Sequence, residues 1–370
     1  MFRLQKMGLF LLAAVATTAL PALAQQKTRN VVLIVCDGLR WQEVFTGADP
    51  TLLNPEHGGI WATPEALRRE YWREDVTERR KTLFPFLWSV VETKGQIFGN
   101  QAKGSVAHVT NGKAFSYPGY NEMITGHPDA RIDSNQFGPN PNVNVFEWLN
   151  QIPEFRGHVA VYGTWDAFTD IFNQKRSGLV VQAGWDPPSK RMSTARGEML
   201  DGLYRTTTRY EDDATYDAFL QPALLDYVRN AHPRALFVGY GETDTWAHSG
   251  RYDLVLQSAH HFDQFVEQLW ETMQQMPEYR DQTTFILTAD HGRGSGLVEW
   301  KDHGAQAKGS ENIWIAVIGP DTSPLHERGN LGEVTQAQIA ATVAALLGKD
   351  FRSQVPEAAP PLSDVLRPTN

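Results

Sequence analysis

The sequence holds one cysteine, Cys36, in 370 residues, so no disulfide can form within the chain. A chain of this length can bury enough apolar surface to fold without one. Cys36 ends an apolar run, has no histidine near it in sequence, and reads as a small buried hydrophobe. Basic charge is also scarce: 34 Lys and Arg face 43 Asp and Glu, leaving a net charge of -9. A general nucleic-acid binder needs a basic footprint to neutralise phosphates, so that class is excluded. A small phosphate-ester substrate is not, because bound metal cations would invert the local field. Beyond the N-terminus no segment is apolar over the roughly 20 residues that span a bilayer. Internal repeats and low-complexity tracts are lacking too.

At the N-terminus, Arg3 and Lys6 precede an apolar stretch of 13 residues from Gly8 to Leu20, and Ala22-Leu23-Ala24 offers a cleavage site before Gln25. This pattern predicts a signal peptide over 1–24 and a secreted or periplasmic product, with no membrane attachment after cleavage. There is no cysteine at the cleavage point to carry a lipid.

The mature chain opens on Asn30-Val31-Val32-Leu33-Ile34-Val35-Cys36-Asp37, a β-branched run ending in an acid. Such a run suits a strand buried on both faces, as in a parallel sheet. The runs from Ala235 to Tyr240, Thr284 to Thr288 and Ile313 to Ile318 follow the same plan, and His158 to Tyr162 is a weaker candidate. Helical patterns lie between them: Phe84 to Thr93, Val143 to Gln151, Tyr216 to Asn230, Tyr252 to Met276 and Thr335 to Leu347. Alternating strands and helices predict an α/β fold, a mostly parallel sheet with helices on both faces. Functional residues in such sheets collect at the carboxyl ends of the strands. The catalytic domain is expected over 25–350, with surface insertions at about 46–81 and 174–213 as candidate caps over the site. Residues 351–370 form a tail, Pro-rich from Pro356, expected to add little to the core.

Acids and histidines stand at the predicted strand ends. Asp37 follows the first strand, Asp244 and His248 form D-x-x-x-H, Asp290-His291-Gly292 follows another strand, and His303 comes twelve residues after His291. Each group alone reads as a helix cap, a turn or a surface pair. Together, three Asp and three His suffice for two divalent ions, since Zn²⁺ accepts imidazole nitrogen and carboxylate oxygen alike. Two such ions about 4 Å apart can clamp an in-line displacement. Histidine content favours Zn²⁺, with Mn²⁺ or Mg²⁺ open at one position.

Phe115-Ser116-Tyr117-Pro118-Gly119 supplies a nucleophile. Pro118 can begin a helix, which places Ser116 just before its N-terminus, where free N–H groups favour an incoming anion.

The ordered set Asp37, Ser116-Tyr117-Pro118 with Thr125-Gly126, Asp244 with His248, Asp290-His291-Gly292 and His303 resembles the alkaline phosphatase superfamily, most of all its nucleotide pyrophosphatase/phosphodiesterase branch. The resemblance runs from about residue 30 to 348. It implies a metal-dependent phosphoric ester hydrolase with a phosphoseryl intermediate on Ser116. One metal would be held by Asp244, His248 and His303, the other by Asp37, Asp290, His291 and the Ser116 oxygen. It also implies an Asn holding a phosphoryl oxygen, for which Asn135 is the nearest match. The chain departs from the branch in having Ser rather than Thr, and Gly119 where Asn is frequent. The phosphate-gripping Arg of monoesterases has no motif here; Lys103, Lys113, Arg131 and Lys301 are candidates, so mono- versus diester preference stays open. A sulfatase, whose nucleophile matures from Cys or Ser, and a phosphomutase or phosphotransferase are the rival enzymes. A secreted non-catalytic binder is the rival outside enzymes.

Overall fold

The computed structural model describes residues 26–366. The expected signal peptide lies outside the described residues. Eight strands form the central sheet: β1 (Asn30–Cys36), β2 (Gln96–Phe98), β3 (Val159–Gly163), β4 (Val180–Ala183), β5 (Ala235–Tyr240), β6 (Thr283–Thr288), β7 (Ile315–Ile318) and β8 (His326–Glu327). Their spatial order is β8-β2-β7-β6-β1-β5-β3-β4. Only β7 runs against its neighbours, β6 and β2; the other pairings are parallel. Every residue of β1, β5 and β6 is buried, which is why these segments read as continuous apolar runs rather than alternations.

The helices over Val145–Gln151, Asp217–Ala231, Tyr252–Gln275 and Gln338–Leu346 lie close to their expected bounds. In the longest, Leu256, Phe262, Val266 and Leu269 are buried on the core-facing stripe. The expected helix over Phe84–Thr93 contains a π-helical turn at Leu87–Val91, and Asp263 accepts the Phe86 and Leu87 amides at its start.

Four expectations need correction. The run from Ile313 to Ile318 is not one strand. It breaks at Trp314, with Asn312–Ile313 in a separate three-stranded sheet and β7 in the main one. Trp314 is buried, and its indole N–H donates to the Leu39 carbonyl. The segment 174–213 is not only a surface excursion, because it contains β4, the sheet's edge strand. A four-residue strand set between Gly178 and Gly184 is too short a run to stand out. The segment 46–81 forms short helices at Pro55–Gly58, Pro64–Tyr71 and Val76–Leu83, capped by Asn54, Thr63 and Asp75. Its Leu52, Leu53, Ile60, Leu67 and Tyr71 are buried against the body. Finally, the tail does join the core: Val355, Ala358, Leu362 and Val365 are buried, and the Ala359 amide donates to the Gly126 carbonyl.

Register brings the strand ends together. Cys36 is level with Tyr240, Val35 with Thr288, and Gly163 with Gly239. The residues that follow, Asp37, Thr164, Gly241 to Asp244 and Ala289 to Asp290, therefore emerge side by side at one edge.

Candidate metal centre and nucleophile

Two carboxylates reach this edge because glycine stands between them. Gly38 has φ +61, which its neighbours in β1 could not adopt cheaply, and a Cβ there would lie 2.7 Å from Asp244 Oδ1. The Gly38 amide instead donates to Asp290 Oδ1 at 3.0 Å. Tyr120 donates its hydroxyl to Asp37 Oδ2 at 2.9 Å, and Gln336 donates to the Ala289 and Asp290 carbonyls.

His291 sits at the centre and is fully buried. Its Nε2 lies 3.3 Å from Asp37 Oδ1, 3.5 Å from Asp290 Oδ2 and 3.9 Å from Asp244 Oδ1. Nδ1 faces the Gly292 carbonyl at 2.8 Å; as donor there, it leaves Nε2 with a free lone pair. On the other side, His303 Nε2 is 3.8 Å from Asp244 Oδ1 and 2.9 Å from His248 Nε2, which is itself 3.3 Å from Asp244 Oδ2. Two overlapping ligand groups result: Asp37 with Asp290 and His291, and Asp244 with His291 and His303. His248 adjoins the second group. All six expected ligands thus converge, although His291 is shared between the groups.

The donors fit divalent cations. Asp37 Oδ1, Asp290 Oδ2 and His303 Nδ1 are buried without a hydrogen-bond partner. Burial and the neighbouring Asp37 push Asp290 well above the usual carboxylate range. Burial works against the charge on Asp244, but Arg293, His248 and His303 outweigh it and hold its carboxyl low. For His291, burial opposes protonation while Asp290 and Asp37 raise it to about 9; for His303, burial and then His291 push it down to about 2. Such opposed shifts arise where like groups crowd together, and bound cations relieve them.

Ser116 is the first residue of a ten-residue helix, Ser116–Thr125, with Phe115 as its N-cap. The serine is buried, and its Oγ lies 3.3 Å from His291 Nε2. Asn135 Oδ1 accepts from the Tyr117 amide at 3.0 Å, leaving the Asn135 NH₂ as its donor. The helix approaches the ligand turn closely: a Cβ on Gly119 would lie 2.4 Å from the Asp290 carbonyl oxygen. That contact leaves no room for a side chain at 119.

Ser116, Asn135, Asp37, Asp244, His248 and His303 line one open cavity of about 990 Å³. Lys103, Lys113, Arg131 and Lys301 are not in its wall. Lys103 pairs with Glu327 and Arg131 with Asp129. Cys36 is buried in β1 beside Thr243, with its thiol pushed up by burial, and Arg40 pairs with Glu43. Cys36 and Arg40, spaced as in the C-x-x-x-R segment of a sulfatase, both lie outside the cavity wall, which only Asp37 between them reaches, so a sulfatase reading of this segment has no structural support.

Sequence reasoning missed Arg293. Its guanidinium bonds Asp244 and the Lys301 carbonyl, and its Nε is unpaired. The signal was present, since Arg293 directly follows Asp290-His291-Gly292. It also missed Glu122, whose carboxylate accepts from the Thr110 and Asn111 amides, both at 2.9 Å, just before Ser116.

Residues 202–350 match the Metalloenzyme superfamily. The matched segment carries Asp244, His248, Asp290, His291 and His303, while Asp37 and Ser116 precede it. Among solved structures, the chain resembles alkaline phosphatase PafA, with TM-score 0.60 at 9% identity over 93% of this chain and 100% of that one. A putative sulfatase from Bacteroides thetaiotaomicron gives 0.56 at 12% over 92% and 75%, and a phosphonate monoester hydrolase from Silicibacter pomeroyi gives 0.54 at 13% over 92% and 76%. No curated protein matches by sequence. At these identities the likeness shows the fold, which is that of the alkaline phosphatases, with a mostly parallel eight-stranded sheet. Among the described residues, no helix is long and apolar enough to cross a membrane.

Proposed function

We propose that the protein is a secreted, two-metal phosphoric ester hydrolase of the phosphodiesterase type, acting through a phosphoseryl intermediate on Ser116. The observation that carries this reading is Ser116 Oγ at a helix N-terminus, 3.3 Å from His291 Nε2 in the mouth of a six-ligand cluster. Two divalent ions held by Asp37, Asp290 and His291 and by Asp244, His248 and His303 would supply positive charge for the oxyanions that develop and a lower pKa for the nucleophile.

The chain's own groups do the rest. Ser116 gives up its hydroxyl proton to solvent as Oγ attacks phosphorus; an O–P bond forms, the bond to the leaving alcohol breaks, and the alcohol takes up a proton from solvent. The Asn135 NH₂, oriented through its Tyr117 contact, donates to a phosphoryl oxygen. Water then attacks the phosphoseryl group, releases the phosphate product and returns a proton to Ser116. Tyr120 and Gly38 keep Asp37 and Asp290 aimed inward, and Arg293 does the same for Asp244.

A diester carries one less negative charge than a monoester. The cavity wall contains none of the four cations considered as a phosphate grip, and its one arginine, Arg209, lies over the Trp185 ring, which favours diesters. The motif order supports the nucleotide pyrophosphatase/phosphodiesterase branch, and the N-terminal pattern supports secretion. In the test, Ser116→Ala is compared with wild type for metal content and for hydrolysis of bis-aryl phosphate, aryl phosphate and aryl sulfate. The variant is expected to keep metal and lose turnover, with the wild type preferring the diester. Wild-type turnover in the variant would overturn the assignment.

A further inference from the structure

The two ligand groups differ in charge. Asp37 and Asp290 are 7% and 0% exposed, and the groups that donate to them, the Tyr120 hydroxyl and the Gly38 amide, are neutral. No Lys or Arg pairs with either carboxylate among the described residues, and His291 is the basic side chain that touches both. A histidine that ligates a metal is neutral, so this group offers a cation two uncompensated negative charges. The second group has a single carboxylate, Asp244, and that one is already paired with Arg293. His248 and His303 add no charge as ligands, so the two charges there cancel.

Arg293 is fixed in place. It is 2% exposed. Its Nη2 donates to Asp244 Oδ1 and, at 3.2 Å, to the Asp244 carbonyl, while Nη1 donates to the Lys301 carbonyl at 2.8 Å. The backbone on either side is tied down as well: the Gly292 amide donates to the Ser310 carbonyl at 2.8 Å, and the Gly294 amide to the Asp302 carbonyl at 3.0 Å. A guanidinium cannot shed its charge by losing a proton. Arg293 therefore stays positive beside Asp244 when a cation arrives there. Orienting the carboxylate is one consequence; repelling the cation is the other. The groups differ in access too. Asp244, His248 and His303 line the cavity, whereas Asp290 and His291 are fully buried and do not.

We infer that Arg293 grades the two metal positions: the one formed by Asp37, Asp290 and His291 is tight and resident, and the one formed by Asp244, His248 and His303 is weak and exchangeable. This rests on the two-metal reading above. Filling is then ordered, the buried position first and the cavity-facing position only at higher free metal. Occupancy of the cavity-facing position follows the divalent metal around the protein.

The test counts metal rather than turnover. The full chain, loaded with Zn²⁺, is dialysed against a series of chelator-buffered free Zn²⁺ concentrations, and ions per chain are measured by plasma mass spectrometry. Wild type is expected to lose its ions in two steps at least about 100-fold apart in free Zn²⁺, as the unequal ligand charge requires. His303→Ala should abolish the weak step and leave the tight one, which assigns the two. Arg293→Gln keeps an NH₂ donor without the charge, and is expected to move the weak step to lower free Zn²⁺ by about tenfold or more. The tight step should not move, which also reports that the variant is folded. Arg293→Lys keeps the charge and should keep the gap.

Loss of both ions in one step by wild type would overturn the inference, and that result needs no variant. So would loss of the tight step in His303→Ala, or a gap that closes in Arg293→Lys. A weak step in Arg293→Gln that stays put or moves to higher free Zn²⁺ would do the same, because it is the mark of a guanidinium that only orients Asp244. A chain that holds fewer than two ions at every free Zn²⁺ removes the two-metal reading itself, and this inference with it. None of these outcomes depends on hydrolysis of any ester.

Discussion

At the residue scale, the site depends on groups that never meet the substrate. Glu122 accepts two contacts from the Thr110 amide and one each from the Thr110 hydroxyl, the Asn111 amide and the Asn111 side chain, all between 2.8 and 2.9 Å. Asn111 in turn accepts from the Lys113 and Ala114 amides, so the chain entering Ser116 hangs on one buried carboxylate. Glu122→Gln keeps the shape but turns an NH₂ toward donors. It is expected to cost about 1–3 kcal/mol, read as a lower thermal midpoint. An unchanged midpoint would mean that the loop holds itself.

At the scale of elements, the decisive contact is between the Ser116–Thr125 helix and the Asp290 turn. Glycine at 119 lets a helix and a ligand loop touch backbone to backbone. Gly119→Ala forces them apart by on the order of half an ångström, an overpacking that costs about 1–3 kcal/mol. Because the helix carries Ser116, the proposed nucleophile, turnover should fall more than stability does. A misplacement near 1 Å costs about 100-fold. Parallel measurement of kcat and thermal midpoint checks this, and wild-type kcat would show that the helix can shift without moving Ser116.

At the scale of the whole molecule, Asp37, Asp244 and Asp290 come from three separate strand ends that folding forces together. Without a cation their mutual repulsion opposes the fold; with one it is reversed. Metal binding to the native state alone at 100 times Kd stabilises by about 2.7 kcal/mol. Chelation should therefore lower the thermal midpoint by several degrees, and added Zn²⁺ or Mn²⁺ should restore it. A midpoint indifferent to chelator in metal-loaded protein would argue against the cluster as a metal centre.

Much of this was written in the sequence. Strands buried on both faces need apolar runs, so β1, β5 and β6 were legible, and so were the acids that close them. Asp37, Asp244, His248, Asp290, His291 and His303 could be picked out because residue type and order are local properties. The reversal of β7, the membership of β4 in the sheet and the docking of Leu362 and Val365 could not. These depend on which surfaces meet after the chain has turned back on itself, and short segments carry too little periodicity to announce it. The same holds for Arg293 against Asp244. A charge at one position says nothing about its partners until three-dimensional packing decides which solvent it loses and which neighbours it gains.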